Sequence, residues 1–491
     1  MTSSPPAYVR LLLKLALLLG VFPLLARWIF GQRIAAVMGL TWKAALRFRL
    51  FLVIAVLLLA SVVGLPMLIE DDGTARGFTQ ILLTYTLSVI TALLGLSTLW
   101  LACGTLARDI EECQMQMLAV KPIARWQIWL GKWLGIVTLN AALLAISGAS
   151  VYALLLYRAQ QLPPEQQAVL HNEVLVARAS ARERSYDREI EQEAQRILQE
   201  TLQRTPVTAL DLPLLKRQIL EQVRAQFQIV APGAYRPWQI ELGFTRHYLR
   251  DQPLFLRVKF NTANYNPSGT FGAVWQVGNP DTGRVWRSEL MSLAPETFHE
   301  FEIPPNLYDE NGVLTIIVMN PNDTALLFPL DEGMEVLYRE GGFGLNFARG
   351  LGIIFCWMAL LAALGLASAS CLSFPVAAFV SLSILTMALS SGTMATAVSE
   401  GTLMGTNHET GASASTIADK LLLPVFQGVL TVINLAKDFS PIDALSTGRS
   451  ITWAQLAQAV GQIVLLLGGI IGGAGIVIFT RRELATAQGN Q

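Results

Sequence analysis

Six stretches of roughly 20 apolar residues, at about 50–69, 78–103, 128–156, 350–372, 374–397 and 457–480, constrain this chain more than any other feature. A helix rises 1.5 Å per residue, so each run matches the ~30 Å thickness of a bilayer hydrocarbon core. The runs Leu50–Ile69 and 78–103 contain no charge at all. Charged residues make up only 15% of the 491, against about 25% in a soluble globular chain. The pattern predicts an integral, polytopic α-helical membrane protein of about six transmembrane helices. Basic and acidic residues balance at 36 each, which argues against a nucleic-acid binder carried by a basic field. Coiled-coil, collagen-like and disordered classes fail on the same composition.

Charge sets the expected orientation. Residues 1–49 hold Arg10, Lys14, Arg27, Arg33, Lys43, Arg47 and Arg49 and no acid, whereas the next loop reads Glu70, Asp71, Asp72, Arg76. The positive-inside rule then places the N-terminus in the cytoplasm. Alternation puts 104–127 inside, 158–345 and 398–456 outside, and Arg481-Arg482 inside with the tail 486–491. This is the topology of a multi-pass inner-membrane protein with both termini cytoplasmic and 158–345 periplasmic. Residues 9–30 are apolar but interrupted by Lys14 and Pro23. They read as an interfacial or re-entrant helix, followed by an amphipathic helix over 34–48. A seventh span is the alternative, and it would move the first residues outside. Trp129 and Trp133, near the start of the third run, suit an interfacial belt. Lys132 and Arg349 lie near span ends, where long side chains can snorkel.

The large polar segment splits the membrane domain (50–157 and 343–485) and divides in two. Over 158–232 the chain is rich in Glu, Gln, Arg and Ala, and a helix from about 164 to 204 would be ~60 Å long. Leu175, Ala179, Tyr186, Ile190, Ala194 and Ile197 form a thin apolar stripe on it. That suits a helical stalk or hairpin, with a break at Thr205-Pro206 and a return over 211–228. Over 233–342 short alternating runs predict strands at 238–245, 254–261, 270–277, 284–290, 298–303, 313–319 and 333–338. They are separated by turn signals such as Asn266-Pro267-Ser268-Gly269, the pattern of an antiparallel β-sandwich or jelly roll. Trp238, Tyr248, Tyr265, Trp275 and Trp286 lie on or near these strands. A sugar platform would use such aromatics, but core packing accounts for them more simply.

Several chemistries lose their support. The four cysteines (Cys103, Cys113, Cys356, Cys371) avoid the polar segment, so it has no disulfide framework. The four histidines are far apart in sequence and no CxxC exists, so no metal site is expected. The spans lack the buried carboxylates of proton-coupled carriers. Gly131-Lys132 is followed by Trp133, and Trp126 stands where a P-loop needs glycine, so ATP hydrolysis would have to come from another chain.

The loop after the second run reads Arg108-Asp109-Ile110-Glu111-Glu112-Cys113-Gln114-Met115-Gln116-Met117-Leu118-Ala119-Val120-Lys121-Pro122-Ile123-Ala124-Arg125, then Trp126, Trp129 and Gly131-Lys132. Here the chain resembles the permeases of ABC-2 type transporters, particularly the six-span multi-copper enzyme maturation group. The resemblance covers about 35–157 and 346–485. It includes Phe439-Ser440-Pro441-Ile442-Asp443-Ala444-Leu445 with Gly448, and the ending Phe479-Thr480-Arg481-Arg482-Glu483-Leu484. It does not cover the external insertion. It implies a non-catalytic subunit, more often an exporter, that docks on a separate ATPase through Asp109, Glu111, Glu112, Leu118, Pro122, Arg125 and Lys132. Cofactors are then none in this chain, with ATP and Mg on the ATPase. The implied partners are that ATPase, a second permease copy or paralogue, the bilayer, and an external envelope protein or cargo.

Taken alone, an acidic pair on a loop is a solvated face and Arg481-Arg482 a stop-transfer signal. Gly468, Gly469, Gly472, Gly473 and Gly475 suit either a dimer seam or close packing within one bundle. Two rival classes stand beside the permease reading. One is an ABC-type transmitter that moves its external domain without transport; the other is a membrane-anchored binding or sensor protein with no ATPase.

Overall fold

A computed structural model describes residues 31–47, 49–68, 74–119, 122–170, 174–204, 212–243, 249–262, 264, 269–279, 283–330, 332–400, 417–437 and 439–482. The chain divides into two compact units, one of Met1–Val176 with Gly342–Gln491 and one of Ala177–Gly341.

The first unit is helical. Among the described residues four helices are long and apolar enough to cross a membrane: α3 (Ala75–Glu111), α5 (Arg125–Ala159), α9 (Phe343–Cys371) and α14 (Trp453–Arg481). The chain is therefore a membrane protein carrying a separate β domain. Of the other two expected spans, 50–69 falls on α2 (Arg49–Leu68). The second, 374–397, is divided at Ser390 into α10 (Phe374–Leu389) and α11 (Ser391–Glu400). At 16 residues α10 is ~24 Å long, short of a full hydrocarbon core. The stretch read as the loop 398–456 contains a further apolar helix, α12 (Ile417–Lys437), with Pro424 inside it, and the short α13 (Pro441–Ser446). Between α3 and α5 lies α4 (Gln114–Ala119), and α6 (Pro164–Val169) follows α5. Within α14 the segment Val460–Leu467 is π-helical.

Small residues set the closest approaches. Gly365 faces Ala102 and the Leu99 carbonyl across α3 and α9, where an added Cβ would stand 2.6 Å from the Ala102 side chain. The glycine stripe of α14 splits by face. Gly472 and Gly475 admit the Trp129 ring and Ala367, whereas Gly469 and Gly473 border open space. Trp129 is thus a packing residue, 3% exposed, rather than part of an interfacial belt, and Trp133 donates from Nε1 to the Ala359 carbonyl at 3.0 Å.

Residues 31–47 form α1, whose buried face is Ile34, Val37, Met38, Thr41 and Ala45. This face lies on Gly131 and Gly135 of α5, and Trp42 Nε1 donates to the Gly135 carbonyl and Thr138 Oγ1, both at 3.0 Å. A Cβ on Gly135 would come within 2.8 Å of the Thr41 Cβ. Gly135→Val is therefore expected to displace α1 and cost about 1–3 kcal/mol. Faster proteolysis within 31–47, with the β domain as resistant as before, is the outcome to look for; unchanged protection would mean α1 does not rest on α5.

In the second unit the expected helix over 164–204 is corrected. Residues Val176–Ala181 form strand β1, and only Asp187–Arg204 (α7) is a long helix. Ala, Arg and Leu favour helix locally, but the backbone of this segment pairs at the edge of a sheet instead. Three side-chain contacts fix it there. Arg178 pairs with Glu300 at 2.5 Å, Ser180 Oγ donates to Glu335 Oε2 at 2.8 Å, and Arg182 reaches the same carboxylate. Helix α7, ~27 Å long, packs antiparallel-hairpin fashion on α8 (Leu212–Gln228) through Ile190, Ala194, Ile219 and Val223. The Thr205-Pro206 break lies outside the described residues.

The strands expected from alternation correspond to β3 (Tyr235–Glu241), β4 (Leu254–Val258), β6 (Phe271–Asn279), β7 (Arg284–Arg287), β9 (His299–Ile303), β10 (Val313–Met319) and β12 (Met334–Gly342). Short strands β2 (Ile229–Val230), β5 (Asn261–Thr262), β8 (Met291–Leu293) and β11 (Leu326–Leu327) complete the set. One sheet runs β1-β12-β4-β9, a second β3-β10-β6-β7 with β8 on β6, and a small third β2-β11-β5. Leu254, Leu256 and Val258 from the first and Trp238, Trp275 and Ile316 from the second meet in one apolar core. Period-two alternation turns these side chains inward and leaves Arg257 on the opposite face.

Candidate functional site

The loop between α3 and α5 is built by a tight reversal. The Glu112 backbone N–H donates to the Arg108 carbonyl at 2.8 Å, and Cys113 takes a left-handed φ of 56°. Few non-glycine residues do so, and here it turns the chain into α4. Met115, 1% exposed, anchors α4 among Leu106, Ile128, Leu366 and Phe479. The start of α5 is fixed by Gln127 Oε1, which accepts from the Ala124 backbone N–H at 3.1 Å.

Behind the loop, Lys132 does not snorkel. Its Nζ donates to Asp109 Oδ2 at 2.5 Å and to the Thr105 carbonyl at 2.8 Å, with the lysine 5% exposed. A buried ammonium is tolerable only with a counter-charge and full hydrogen bonding. This one receives both from α3, so the pair fastens α5 to α3.

Two more predicted residues fasten helix ends. Arg125 Nη1 donates to the carbonyls of Phe479, Thr480 and Arg482 at 3.4, 2.7 and 2.8 Å. Carbonyls at a helix C-terminus lack intrahelical partners and carry partial negative charge, so a guanidinium is the matching cap. Arg482 in turn donates to the Ser370 carbonyl near the end of α9 at 3.1 Å. At the opposite polarity, Glu111 Oε1 accepts from the Phe374 backbone N–H at 2.9 Å, where the first turn of α10 has a free donor. Arg108 lies 4.5 Å over the Phe374 ring, which Trp100 meets edge-on. Asp109, Glu111, Arg125 and Lys132 therefore tie α3, α5, α10 and α14 together at one end of the bundle, and Arg482 adds the end of α9.

Of the rest of the predicted set, Glu112 and Pro122 face outward. Glu112 is exposed and accepts from Gln114 Nε2 at 2.7 Å, and Pro122 is exposed. Leu118 lies in α4, with its side chain outside the described residues. Two large apolar side chains of the same segment are also exposed, Met117 at 70% and Trp126 at 47%. Sequence reasoning missed Thr105, Arg482 and Phe374 as parts of this arrangement. Arg482 read as a charge stop, and Thr105 and Phe374 act through backbone atoms that no side-chain pattern reveals. The second motif, Phe439–Leu445, is elsewhere: Phe439 and Leu445 pack in the core with Phe343 and Phe347, where α9 begins.

Among the described residues no group of three or more His, Cys, Asp or Glu is placed to hold a metal ion. All four cysteines are free, Cys103 and Cys356 buried, Cys113 and Cys371 exposed. In the β domain Trp275 is wholly buried and Trp238 is 4% exposed, while Trp286 packs against the same core. Tyr248 and Tyr265 lie outside the described residues. No family model, no curated protein and no solved structure matches the chain.

Proposed function

We propose that this chain is the membrane-spanning, non-catalytic subunit of an ATP-driven transporter of the ABC-2 type, coupled to a separate ATPase at the end of the bundle just described. The observation that supports the reading is the division of labour within residues 108–132. Asp109, Glu111, Arg125 and Lys132 bind α3, α5, α10 and α14 together, so displacement of this loop acts on these four helices at once, and on α9 through Arg482. Glu112, Met117 and Trp126 are left outward, an acid beside two apolar side chains, as a surface a partner can cover. In this reading that end is cytoplasmic, residues 158–345 are periplasmic, and the subunit works with a second copy or paralogue. ATP and Mg belong to the ATPase, and the β domain receives or passes on cargo or meets an envelope protein outside. The resemblance to the ABC-2 permeases implies export more often than import. The 18-residue length of α7 takes support from the rival in which a long rod transmits force.

The test is co-purification of the tagged chain from its native host in mild detergent. A stoichiometric ATPase subunit is expected, and Glu112→Lys with Trp126→Ala is expected to lower its recovery at least tenfold while the chain still reaches the membrane. Glu111→Lys would confuse the result, because it also uncaps α10. Absence of any ATPase, under conditions that retain a known ABC complex, would leave the membrane-anchored binding protein as the better reading.

A further inference from the structure

Among the described residues, buried cations have anions, with one exception. Lys132 has Asp109 and Arg178 has Glu300. Arg349, in the second turn of α9, is 6% exposed, and among the described residues no carboxylate lies within ion-pair distance of it. Its Nη1 donates to the Ile451 carbonyl, the Trp453 ring covers its guanidinium with 5.4 Å from Cζ to the centroid, and Nε is buried with no hydrogen-bond partner. An arginine keeps its charge at any accessible pH. A carbonyl and an indole face stabilise that charge only in part, and a buried donor without a partner is costly.

The surroundings are organised to hold the guanidinium in place. Asn346, fully buried, donates to the Arg449 carbonyl and accepts from the Ile451 backbone N–H, both at 2.7 Å. This fixes the 449–451 segment on α9 and aims the Ile451 carbonyl at Arg349. Trp453 opens α14, and it is 61% exposed. An exposed tryptophan at the start of a spanning helix is an interfacial anchor, at the level of lipid headgroups. Arg349 is about 9 Å along α9 from Phe343, a depth that a lysine- or arginine-length side chain bridges to the same level.

We propose that Arg349, framed by Trp453 and the Ile451 carbonyl, binds a phosphate group where α9 and α14 begin. The unused side of a guanidinium fork matches two oxygens of a phosphate. The chemistry is shared by two sources, the phosphodiester of a phospholipid and soluble phosphate, and the site lies at the level where a bilayer supplies the first in abundance. An ionisable residue buried in a spanning segment marks a ligand or partner more often than a packing accident.

The experiment uses the full chain, delipidated in neutral detergent and examined by native mass spectrometry with added lipid. Phosphatidylglycerol is expected to give one retained molecule per chain, while diacylglycerol, which lacks the phosphate, gives none. Arg349→Gln is expected to lower that retention about tenfold, the range lost with one charge-assisted bond, and Arg349→Lys to restore part of it. Competition by millimolar inorganic phosphate, with thermal stabilisation of the wild-type chain by phosphate alone, would keep the site and assign it to a soluble ligand. Equal retention of diacylglycerol and phosphatidylglycerol overturns the proposal, as does unchanged retention in a folded Arg349→Gln. Should that variant not fold, the wild-type comparison of the two lipids still decides.

Discussion

Lys132→Ala is expected to destabilise the helical unit by about 3 kcal/mol, because removing one partner of a buried pair strands the other. Asp109 would lose its counter-charge at an end of the bundle where its side chain is only 25% exposed, and the Thr105 carbonyl would lose the lysine donor. Asp109→Ala should cost as much or more, since it leaves an ammonium that is 6% exposed at its side chain facing apolar neighbours. The paired replacement Asp109→Leu with Lys132→Met, which removes both charges at similar volume, is expected to recover most of the loss. A true cycle adds Asp109→Ala with Lys132→Ala to the two alanine singles and the wild type, and unfolding in a graded denaturing detergent, followed on α5 and α9, reads its four members. A double variant as unstable as the sum of the singles would show that the two side chains do not act as a pair. On the proposed coupling reading, movement of the loop in these variants would no longer draw α5 with α3.

The second large effect lies in the β domain. Trp275→Ala is expected to cost about 3–5 kcal/mol, the range for emptying a large aromatic from a packed core. The ring is fully buried, with Phe301 at 5.5 Å and Phe328 at 6.2 Å between centroids. Trp275→Phe should cost far less, because the indole Nε1 has no hydrogen-bond partner to lose. Limited proteolysis of the intact chain over 177–341 with rising temperature distinguishes the two variants. If alanine at 275 left that profile unchanged, the aromatic residues of these strands would be better read as a surface platform than as core.

How much was legible in advance depends on how local each signal is. The apolar runs and the alternation of 254–260 report burial residue by residue, so α3, α5, α9, α14 and β4 could be placed without coordinates. The glycines Gly472 and Gly475 could be recognised as close-packing positions, but not the identity of their neighbour, Trp129, more than 330 residues earlier. Segment 176–181 shows the limit. Its composition favours helix, and only Glu335 and Glu300, far along the chain, make a strand the better state. The break at Ser390 and the helix α12 were equally hidden, since neither carries an unusual composition.

The candidate site divides in the same way. Residues 108–132 drew attention through the order of their acidic pair, proline, arginine and Gly-Lys, which resembles the ABC-2 permeases; taken alone, the acidic pair reads as a solvated face. Which of those side chains hold the bundle and which face outward is a matter of contacts across more than 250 residues, as between Arg125 and Thr480 or Glu111 and Phe374. Hydropathy and net charge are sums over single residues and fix solvent, length and class. Ion pairs and helix caps depend on where two distant backbones meet, and that meeting is decided only when the helices have packed.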